Sequence, residues 1–312
     1  MRVIITGGTG FVGSALAKSL VSDGHEVISL SRNPDKPHKL PSEVKILHWD
    51  ARTGAGWGHL IDQNTAIVNL AGELIGGRNL WELVVKRWTP DRKKVILESR
   101  LNAGKAVVQA IQSAENKPKV LIQASAVGFY GDRGDEKLTE DSSPGKGFVS
   151  EVVQQWEAAT AAVEGMGVRR AIIRSPGIFL SLDGGAFPFL VIPFKLFTGG
   201  PIGDGKQYFS WVHLEDEIRA IRFLIDNPEV SGPFNLAAPG ATTNAQFNKT
   251  LGKVLNRPYW LPLPAFFFKL GFGQQSEIIL SSQRQIPKRL LELGFEYNFP
   301  EVETALGDLF HK

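Results

Sequence analysis

The 312-residue sequence contains no cysteine, which excludes disulfide bonds, thiolate metal sites and cysteine nucleophiles. Its six histidines are scattered without the spacing of metal ligands, so we expect no structural metal. The longest apolar stretch, residues 186–197, is interrupted by Pro188 and Pro193 and is too short to span a bilayer. A dense basic run is also missing, and a net charge of +3 does not indicate nucleic-acid binding.

The composition that remains, 43% hydrophobic and 21% charged residues, is typical of a soluble globular protein. The length allows one large domain or two small ones. The first predicted strand begins next to residue 1, so we expect no targeting peptide ahead of it. Cytoplasmic localisation is therefore the expectation, with a processed organellar protein as the alternative.

The strongest motif is a glycine-rich turn that follows a short apolar run at residues 1–6 and precedes an amphipathic pattern ending near Ser22. Gly7 permits a tight strand-to-helix turn, Gly10 lets backbone approach a pyrophosphate, and Gly13 lets the helix pack closely on the strand. Amides at the helix N-terminus then point at the anion. The alternative is a tight turn in an α/β protein without a ligand. The predicted cofactor contacts in this loop are Gly7, Thr9, Gly10, Phe11, Val12 and Gly13.

The end of the second predicted strand, residues 26–30, indicates which dinucleotide binds. Sites that prefer NAD usually place a carboxylate there to bind the ribose 2′-hydroxyl. This sequence has Ser31 and Arg32 instead, a hydroxyl and a planar cation that suit a 2′-phosphate. We therefore predict NADP(H) as the cofactor, the alternative being that Arg32 is an ordinary solvated loop cation.

Strand and helix patterns alternate through the first half of the chain. Such alternation predicts an α/β fold of the Rossmann type, a doubly wound parallel sheet that binds ligands beyond the carboxyl ends of its strands. The predicted strands are residues 1–6, 26–30, 44–49, 66–70, 119–124 and 168–174. The predicted helices are one that follows the glycine loop and ends near residue 22, and residues 91–113 and 149–164.

The pattern changes after residue 175, where glycine, proline and aromatic residues crowd into residues 184–211. Short helical patterns follow at residues 214–226, 243–255 and 276–282. We predict an NADP(H)-binding domain over residues 1–175 and a smaller substrate or partner lobe over residues 176–312. Because no linker separates them, we expect the lobe to pack over the cofactor cleft as part of one unit.

Nine segments in order carry a resemblance to a known family: TGGTGFVG (6–13), SRNP (31–34), NLAGE (69–73), RWTPDRKKVILESR (87–100), SAVGFYG (125–131), EDSSPG (140–145), QQWEAA (154–159), GGPIGDGKQYFSWVH (199–213) and LGFEYNFP (293–300). The sequence resembles the extended short-chain dehydrogenase/reductase superfamily, and within it the atypical epimerase-like group. That group includes bacterial proteins labelled sugar epimerases or cell-division inhibitors, and plastid relatives. Residues 76–86 depart from the pattern and look like an insertion.

The resemblance implies further NADP(H) contacts outside the glycine loop. Arg100, on a long helix, is equally well interpreted from the residues alone as a surface salt-bridge partner. Asp50 follows the third strand and would accept from the adenine amino group, or would serve as a turn aspartate. The implied contacts are Ser31, Arg32, Asp50, Leu70, Ala71, Gly72, Arg100, Ala124 and Ile178.

The usual catalytic residues of the superfamily, a serine and a Tyr-x-x-x-Lys motif, are missing. The spacing back from Trp156-Glu157 puts Val149 and Val153 at the tyrosine and lysine positions. The spacing of four residues back from Tyr130 puts Ala126 at the serine position, with Ser125 one residue early. A valine cannot transfer a proton. The replacement candidates are Ser125 and Tyr130, although a Tyr-Gly pair here is more often structural.

Substrate chemistry is less constrained. Phe209 stands where related nucleotide-sugar enzymes carry an arginine for the diphosphate. Two loop lysines, Lys195 and Lys206, are candidate substitutes, although lysines in such loops are more often solvated. His213 is a candidate acid or a residue of lobe packing. An aromatic cleft would favour an uncharged or modestly polar ligand, unless the aromatics are lobe core: Phe187, Phe189, Phe194, Tyr208, Phe209 and Trp211.

A second apolar stretch, residues 260–270, is expected to be core, with a subunit or partner surface and a membrane-facing patch as alternatives. Two functions remain open. One is an NADP(H)-dependent oxidoreductase or epimerase-like enzyme with a non-standard proton donor, acting on a small molecule. The other is a non-catalytic NADP(H)-binding sensor or scaffold, with a homodimer or protein partner possible in either case. The sequence offers no basic stripe for a DNA-binding regulator.

Overall fold

A computed structural model describes residues 1–36, 38–77, 82 and 85–311 of the chain. The described strands are β1 (Arg2–Thr6), β2 (Glu26–Ser31), β3 (Lys45–His48), β4 (Thr65–Asn69), β5 (Val120–Ala126), β6 (Lys137–Leu138), β7 (Arg169–Ser175), β8 (Ile178–Leu180), β9 (Tyr208–Phe209), β10 (Trp211–His213), β11 (Gly232–Asn235), β12 (Thr242–Thr243) and β13 (Arg284–Gln285). The central sheet has seven strands in the order β11-β7-β5-β4-β1-β2-β3, and every neighbouring pair in it is parallel. The predicted doubly wound parallel sheet is confirmed.

Helices cover both faces of this sheet. The described α-helices are α1 (Phe11–Ser22), α2 (Pro90–Ser113), α3 (Phe148–Ala158), α4 (Phe187–Lys195), α5 (Leu214–Asp226), α6 (Asn244–Val254), α7 (Ala265–Phe272), α8 (Glu277–Leu280), α9 (Lys288–Glu292) and α10 (Val302–Phe310). Short 3₁₀ helices cover residues 58–60, 127–130, 161–166 and 273–276.

The alternation of side chains along β1 explains the two layers. Val3 and Ile5 pack into the cluster that contains α1 and α5, whereas Ile4 packs into the cluster that contains α2. All three are fully buried. A strand that is buried on both faces appears in the sequence as a continuous apolar run. The predicted ends of the central strands therefore agree with the observed ends within one or two residues.

The helix predicted over residues 149–164 is shorter than expected. It spans Phe148–Ala158, and residues 161–166 form a separate 3₁₀ helix. The Arg170 guanidinium explains the break, because it donates to the Glu157 carbonyl oxygen at 2.7 Å and to Thr160 Oγ1 at 3.3 Å. That carbonyl would otherwise accept from the next turn of the helix.

Strand β11 was not predicted, and it lies beyond residue 175. It pairs with β7 at the edge of the sheet, and Arg289 of α9 donates to Pro233 O at 2.6 Å and to Ser231 O at 2.8 Å. Residues from the predicted second lobe therefore complete the central sheet. The division at residues 175/176 stays a prediction.

The smaller lobe has its own core. Phe187, Phe194, Trp211 and Phe247 are at most 2% exposed and pack together with β8 and α10. The interpretation of the aromatic residues as cleft lining is therefore wrong for most of them: Phe187, Tyr208, Phe209 and Trp211 lie outside the cleft. Phe189 and Phe194 do line it.

The expectation that residues 260–270 are core is also wrong for much of this segment. Trp260, Phe266, Phe267 and Leu270 are between 61% and 65% exposed. Phe268 is the exception, since it packs against the lobe core and lines the cleft. No helix among the described residues is both long enough and apolar enough to cross a membrane. Most of the apparent insertion at residues 76–86 lies outside the described residues.

Candidate functional site

A large cleft runs along the carboxyl ends of β1, β2, β4, β5 and β7. Its volume is about 1970 Å³, larger than the roughly 300–1,000 Å³ of most small-molecule pockets. Such a cleft has room for a dinucleotide and a second molecule. It lies where doubly wound sheets bind their ligands, as the sequence predicted.

The glycine loop forms one wall of this cleft. Gly10 N donates to Gly7 O at 2.9 Å, which closes the turn, and Gly7 has a φ of +70°. A Cβ at Gly13 would overlap Gly7 O and lie 2.8 Å from Gly8 Cα. Gly10 precedes helix α1 at its N-cap position and supplies no side-chain cap, and the first turn of α1 has no acidic residue. Its first amides are therefore compatible with an anion.

Phe11 connects this loop to the smaller lobe. Its ring lies 5.9 Å from the Phe179 ring in an edge-to-face contact. A Cβ at Gly184 would come within 2.7 Å of Phe11 Cδ2, so the lobe backbone lies directly on the ring. This contact joins the smaller lobe to the glycine loop at the cleft.

The end of β2 carries the residues predicted to select the 2′-phosphate. Ser31 and Arg32 both line the cleft, together with Asn33 and Lys36. Ser31 Oγ accepts from Asn33 N at 3.2 Å, and Arg32 is exposed without a hydrogen bond to any described residue. Its guanidinium is therefore available to a ligand.

Asp50 also lines the cleft, but its carboxylate is committed to a turn. It accepts from Arg52 N at 2.8 Å and from Thr53 N at 2.9 Å. These two hydrogen bonds lower the pKa of Asp50 below its ordinary value. The turn interpretation therefore describes the local structure, and a contact with adenine stays a prediction.

Arg100 is not the surface residue that one interpretation expected. It is 6% exposed and its Nη1 donates to Glu73 O and Ile96 O, both at 2.9 Å. Its guanidinium lies 4.8 Å from the Trp156 ring, and burial lowers its pKa to about 10. A Cβ at Gly72 would lie 3.2 Å from Arg100 Cζ, so the cation packs against the backbone after β4.

The remaining predicted cofactor residues divide into two groups. Leu70, Ala71 and Ala124 line the cleft. Ile178 packs in the lobe core instead, while its neighbours Gly177 and Phe179 line the cleft.

Ser125, one of the two proposed replacements for the catalytic set, lies at the end of β5 in the cleft wall. Its hydroxyl donates to Glu157 Oε1 at 2.5 Å. Arg174 holds the same carboxylate through Nε at 2.9 Å and Nη2 at 3.1 Å. A buried serine–glutamate–arginine chain therefore leads from the cleft into the protein.

Tyr130, the other proposed replacement, lies outside the cleft. It is 0% exposed, its hydroxyl donates to Asn235 Oδ1 at 2.7 Å, and it accepts from Arg174 Nη1 at 3.0 Å. Burial raises its pKa to about 12. The geometry does not support Tyr130 as the proton donor, because both the donor and the acceptor of its hydroxyl are used inside the protein.

His213 is likewise not among the residues that line the cleft. Its Nδ1 accepts from Glu215 N at 3.3 Å and caps α5, and its ring lies 4.0 Å from the Phe299 ring. The lobe-packing interpretation fits this position. Lys195 and Lys206 are exposed and do not line the cleft.

Apolar side chains occupy the places aligned with the missing tyrosine and lysine. Val149 lines the cleft at the start of α3, and Val153 is fully buried. A Cβ at Gly128 would overlap Val149 Cγ1, so the turn after β5 packs directly against this valine.

A second serine–glutamate pair, which was not predicted from the sequence, lies in the cleft wall. Ser175 ends β7, and its Oγ lies 2.5 Å from Glu217 Oε1 on α5. Glu217 is fully buried, and burial raises its pKa to about 8. A usable signal was present, because residue 217 shares one face of α5 with Ile221 and Leu224 at helical spacing. Among the described residues, no group of three His, Asp or Glu side chains is placed to hold a metal ion.

Comparisons with known proteins agree with this architecture. Residues 3–237 match the NAD dependent epimerase/dehydratase family, and residues 263–309 match a domain of unknown function. The chain is 38% identical to the epimerase family protein YfhF of Bacillus subtilis, over 99% of this chain and 98% of that protein. It is 36% identical to the chloroplastic SDR39U1 homolog of Arabidopsis thaliana, over 98% of this chain and 86% of that protein.

A solved structure is similar over the whole length. The human epimerase family protein SDR39U1 (isoform 2), crystallised with NADPH, is 35% identical and superposes with a TM-score of 0.88. The alignment covers 100% of both chains.

Proposed function

The chain belongs to the NAD dependent epimerase/dehydratase family, and from this premise we propose that it binds NADP(H) and uses it in an oxidoreductase or epimerase-like reaction on a small molecule. The observation that carries the proposal is the position of Ser31 and Arg32. Both border the same cleft as the glycine loop, and Arg32 has no described partner. The NADPH in the human relative supports the same cofactor.

The residues of the cleft fit a phosphorylated dinucleotide. The loop at Gly7–Gly13 and the uncapped start of α1 suit the pyrophosphate, and Arg32 suits the 2′-phosphate. Arg100 adds a buried cation beside Gly72. The bound cofactor would supply a hydride or accept one, and the protein would position the reactants and exclude water.

Calorimetric titration with NADPH and with NADH tests the cofactor. Arg32→Glu should weaken NADPH binding by about 10- to 100-fold, because it removes a charge-assisted contact worth about 1.5–3 kcal/mol. NADH, which lacks the 2′-phosphate, should bind both proteins within about twofold of each other. Arg257→Glu is the matched control, since Arg257 is exposed, stacks on Phe197 and does not line the cleft. Unchanged NADPH affinity in Arg32→Glu would contradict the assignment.

The alternative is a non-catalytic NADP(H)-binding sensor or scaffold. Val149 in the cleft wall favours it, because an apolar side chain there cannot supply a proton. A screen of carbonyl compounds and sugar nucleotides, in which the oxidation of NADPH is measured, distinguishes the two functions. Tight NADPH binding without turnover of any compound would support the sensor.

We also propose that the protein acts in the cytoplasm. The absence of a described membrane-spanning helix is compatible with this, whereas the Arabidopsis relative is named chloroplastic. Fractionation of cells with an antibody against the protein would test the location, and recovery from an organelle would overturn it.

A further inference from the structure

Two serine–glutamate pairs lie at the same edge of the sheet, and the serine of each pair lines the cleft. Ser125 of β5 contacts Glu157, and Ser175 of β7 contacts Glu217, each at 2.5 Å. In the register of these strands Ser125 lies opposite Arg174, and Ser175 lies opposite Ala126. Because side chains alternate along a strand, the two pairs point to opposite faces of the sheet.

The two carboxyl groups differ in their surroundings. Glu157 receives two hydrogen bonds from the Arg174 guanidinium. Glu217 has no cation beside it among the described residues, and its Oε2 is buried without a hydrogen-bond partner there. Burial of an unpaired carboxylate is unfavourable, so the neutral acid is favoured at Glu217.

The groups that face Glu217 reinforce this difference. Its neighbour Asp216 accepts from Asn298 N at 2.9 Å and from Phe299 N at 2.8 Å. The Arg219 guanidinium is bound to Asp216 at 2.8 Å rather than to Glu217. From the C-terminal segment Tyr297 presents a buried hydroxyl whose pKa is raised by burial and by the charge of Glu217. None of these groups compensates a negative charge on Glu217.

We propose that Glu217, acting through the Ser175 hydroxyl, is the proton donor of the cleft and replaces the missing tyrosine. The inference rests on the proposed function, since it needs a bound reduced nicotinamide as the hydride source. Ser125 is not equivalent to Ser175, because the Glu157 carboxyl group behind it is already paired with the Arg174 guanidinium, whereas Glu217 has no such cation among the described residues.

The proton transfer balances as a carbonyl reduction. As the carbonyl carbon of the substrate takes the hydride, its oxygen takes the Ser175 hydroxyl proton, and Ser175 takes the acid proton of Glu217. The products are an alcohol, the oxidised dinucleotide and a Glu217 carboxylate, which regains a proton from water. In the reverse direction Glu217 accepts the proton as a base.

Proton linkage in calorimetry tests the pair without a known substrate. NADP⁺ and NADPH are titrated at pH 7 in two buffers of different ionisation enthalpy. The positive nicotinamide ring of NADP⁺ should favour the ionised form of Glu217, so binding of NADP⁺ should release up to about one proton from this group. The reduced ring of NADPH is neutral, so its binding should release less. Glu217→Gln should abolish the difference while keeping NADPH affinity within about twofold.

Glu140→Gln is the matched control, because Glu140 is a second buried carboxyl with a raised pKa that does not line the cleft. It should leave proton release unchanged. Ser175→Ala serves as a second variant should Glu217→Gln fail to fold, and it should reduce the release by at least half. Equal release in wild type and Glu217→Gln, or no difference between the two dinucleotides, overturns the inference.

Kinetics give an independent readout once the screen yields a carbonyl substrate. Glu217→Gln should lower the single-turnover rate by about 10²- to 10⁴-fold, and Glu217→Asp should restore part of it. The wild-type rate should fall as pH rises through the pKa of Glu217, and the Gln variant should lose this dependence. An unchanged rate and pH profile would again overturn the inference. Absence of heat with either dinucleotide would instead overturn the proposed function itself.

Discussion

Replacing Tyr130 by phenylalanine tests whether the Tyr130 hydroxyl has a structural or a catalytic role. The substitution removes one oxygen from a fully buried site and leaves the ring in place. In the structure this oxygen donates to Asn235 Oδ1 at 2.7 Å and accepts from Arg174 Nη1 at 3.0 Å. We therefore expect Tyr130→Phe to lower stability and to leave cofactor binding unchanged.

The magnitude follows from the two lost hydrogen bonds. A neutral bond contributes about 0.5–1.5 kcal/mol, and one to a charged group contributes about 1.5–3 kcal/mol. Both partners keep other bonds, since Asn235 Oδ1 still accepts from Gln285 at 3.0 Å and Arg174 still holds Glu157. The lower end of the sum applies, so the expected loss in unfolding free energy is about 2 kcal/mol.

Urea unfolding of the two proteins, followed by tryptophan fluorescence, measures this loss. Tyr259→Phe is the control, because the Tyr259 hydroxyl makes no hydrogen bond with any described residue, and it should change stability by less than about 0.5 kcal/mol. NADPH affinity should stay within about twofold in both variants. If Tyr130→Phe were as stable as the wild type but lost most of its NADPH oxidation, the structural assignment of Tyr130 would be refuted.

Two further predictions concern the glycine loop and the buried acid. Gly13→Ala should weaken NADPH binding at least about tenfold, because the new Cβ would overlap Gly7 O. Gly307→Ala in α10 is the control. It should leave the NADPH affinity unchanged and stabilise the helix by up to about 1 kcal/mol. Isothermal titration of both alanine variants checks this, and equal affinities would contradict it. The pKa of Glu217 rises from an ordinary value of 4.5 to about 8, so the unfolded chain loses this proton at lower pH than the folded protein does. As the pH rises from about 5 to 8, the unfolding free energy of the wild type should therefore fall, and Glu217 should contribute at most about 1.4 kcal/mol per pH unit to this fall. The Glu217→Gln variant should not show this contribution. Urea unfolding of the wild type and Glu217→Gln at several pH values measures this effect. If the difference between their unfolding free energies were constant from about pH 5 to 8, the raised pKa would be disproved.

The sequence predicted the central strands because each is buried on both faces and reads as an apolar run. Strand β11 escaped prediction for the opposite reason. Gly232 and Pro233 are residue types that strands disfavour, and proline is tolerated here because β11 lies at the edge of the sheet. Its assignment depends on pairing with β7, a contact that no local pattern reveals.

The site shows the same division between local and long-range information. The glycine loop and Ser31–Arg32 were predictable, since their chemistry depends on neighbours in sequence. Glu217 was missed although it shares a helix face with Ile221 and Leu224, because an acidic residue in the first turn of a helix usually faces solvent and interacts favourably with the helix dipole. Its burial depends on β7 and on the segment around Tyr297, both distant in the chain.

Exposed aromatic residues mark a further limit. Trp260, Phe266 and Phe267 read as core in the sequence, since large apolar side chains usually find a partner inside the protein. The fold leaves them on the outside of the smaller lobe. Hydrophobicity alone therefore overestimates the core of this lobe.

The late position of β11 in the chain affects how the protein is made on the ribosome. β7 leaves the exit tunnel long before Gly232–Asn235, and the Arg289 side chain that holds β11 follows later still. Until then β7 is an open edge whose amides and carbonyls can pair with another nascent chain. A translation arrest between these strands would therefore leave an aggregation-prone fragment, and completion of the sheet waits for the last quarter of synthesis.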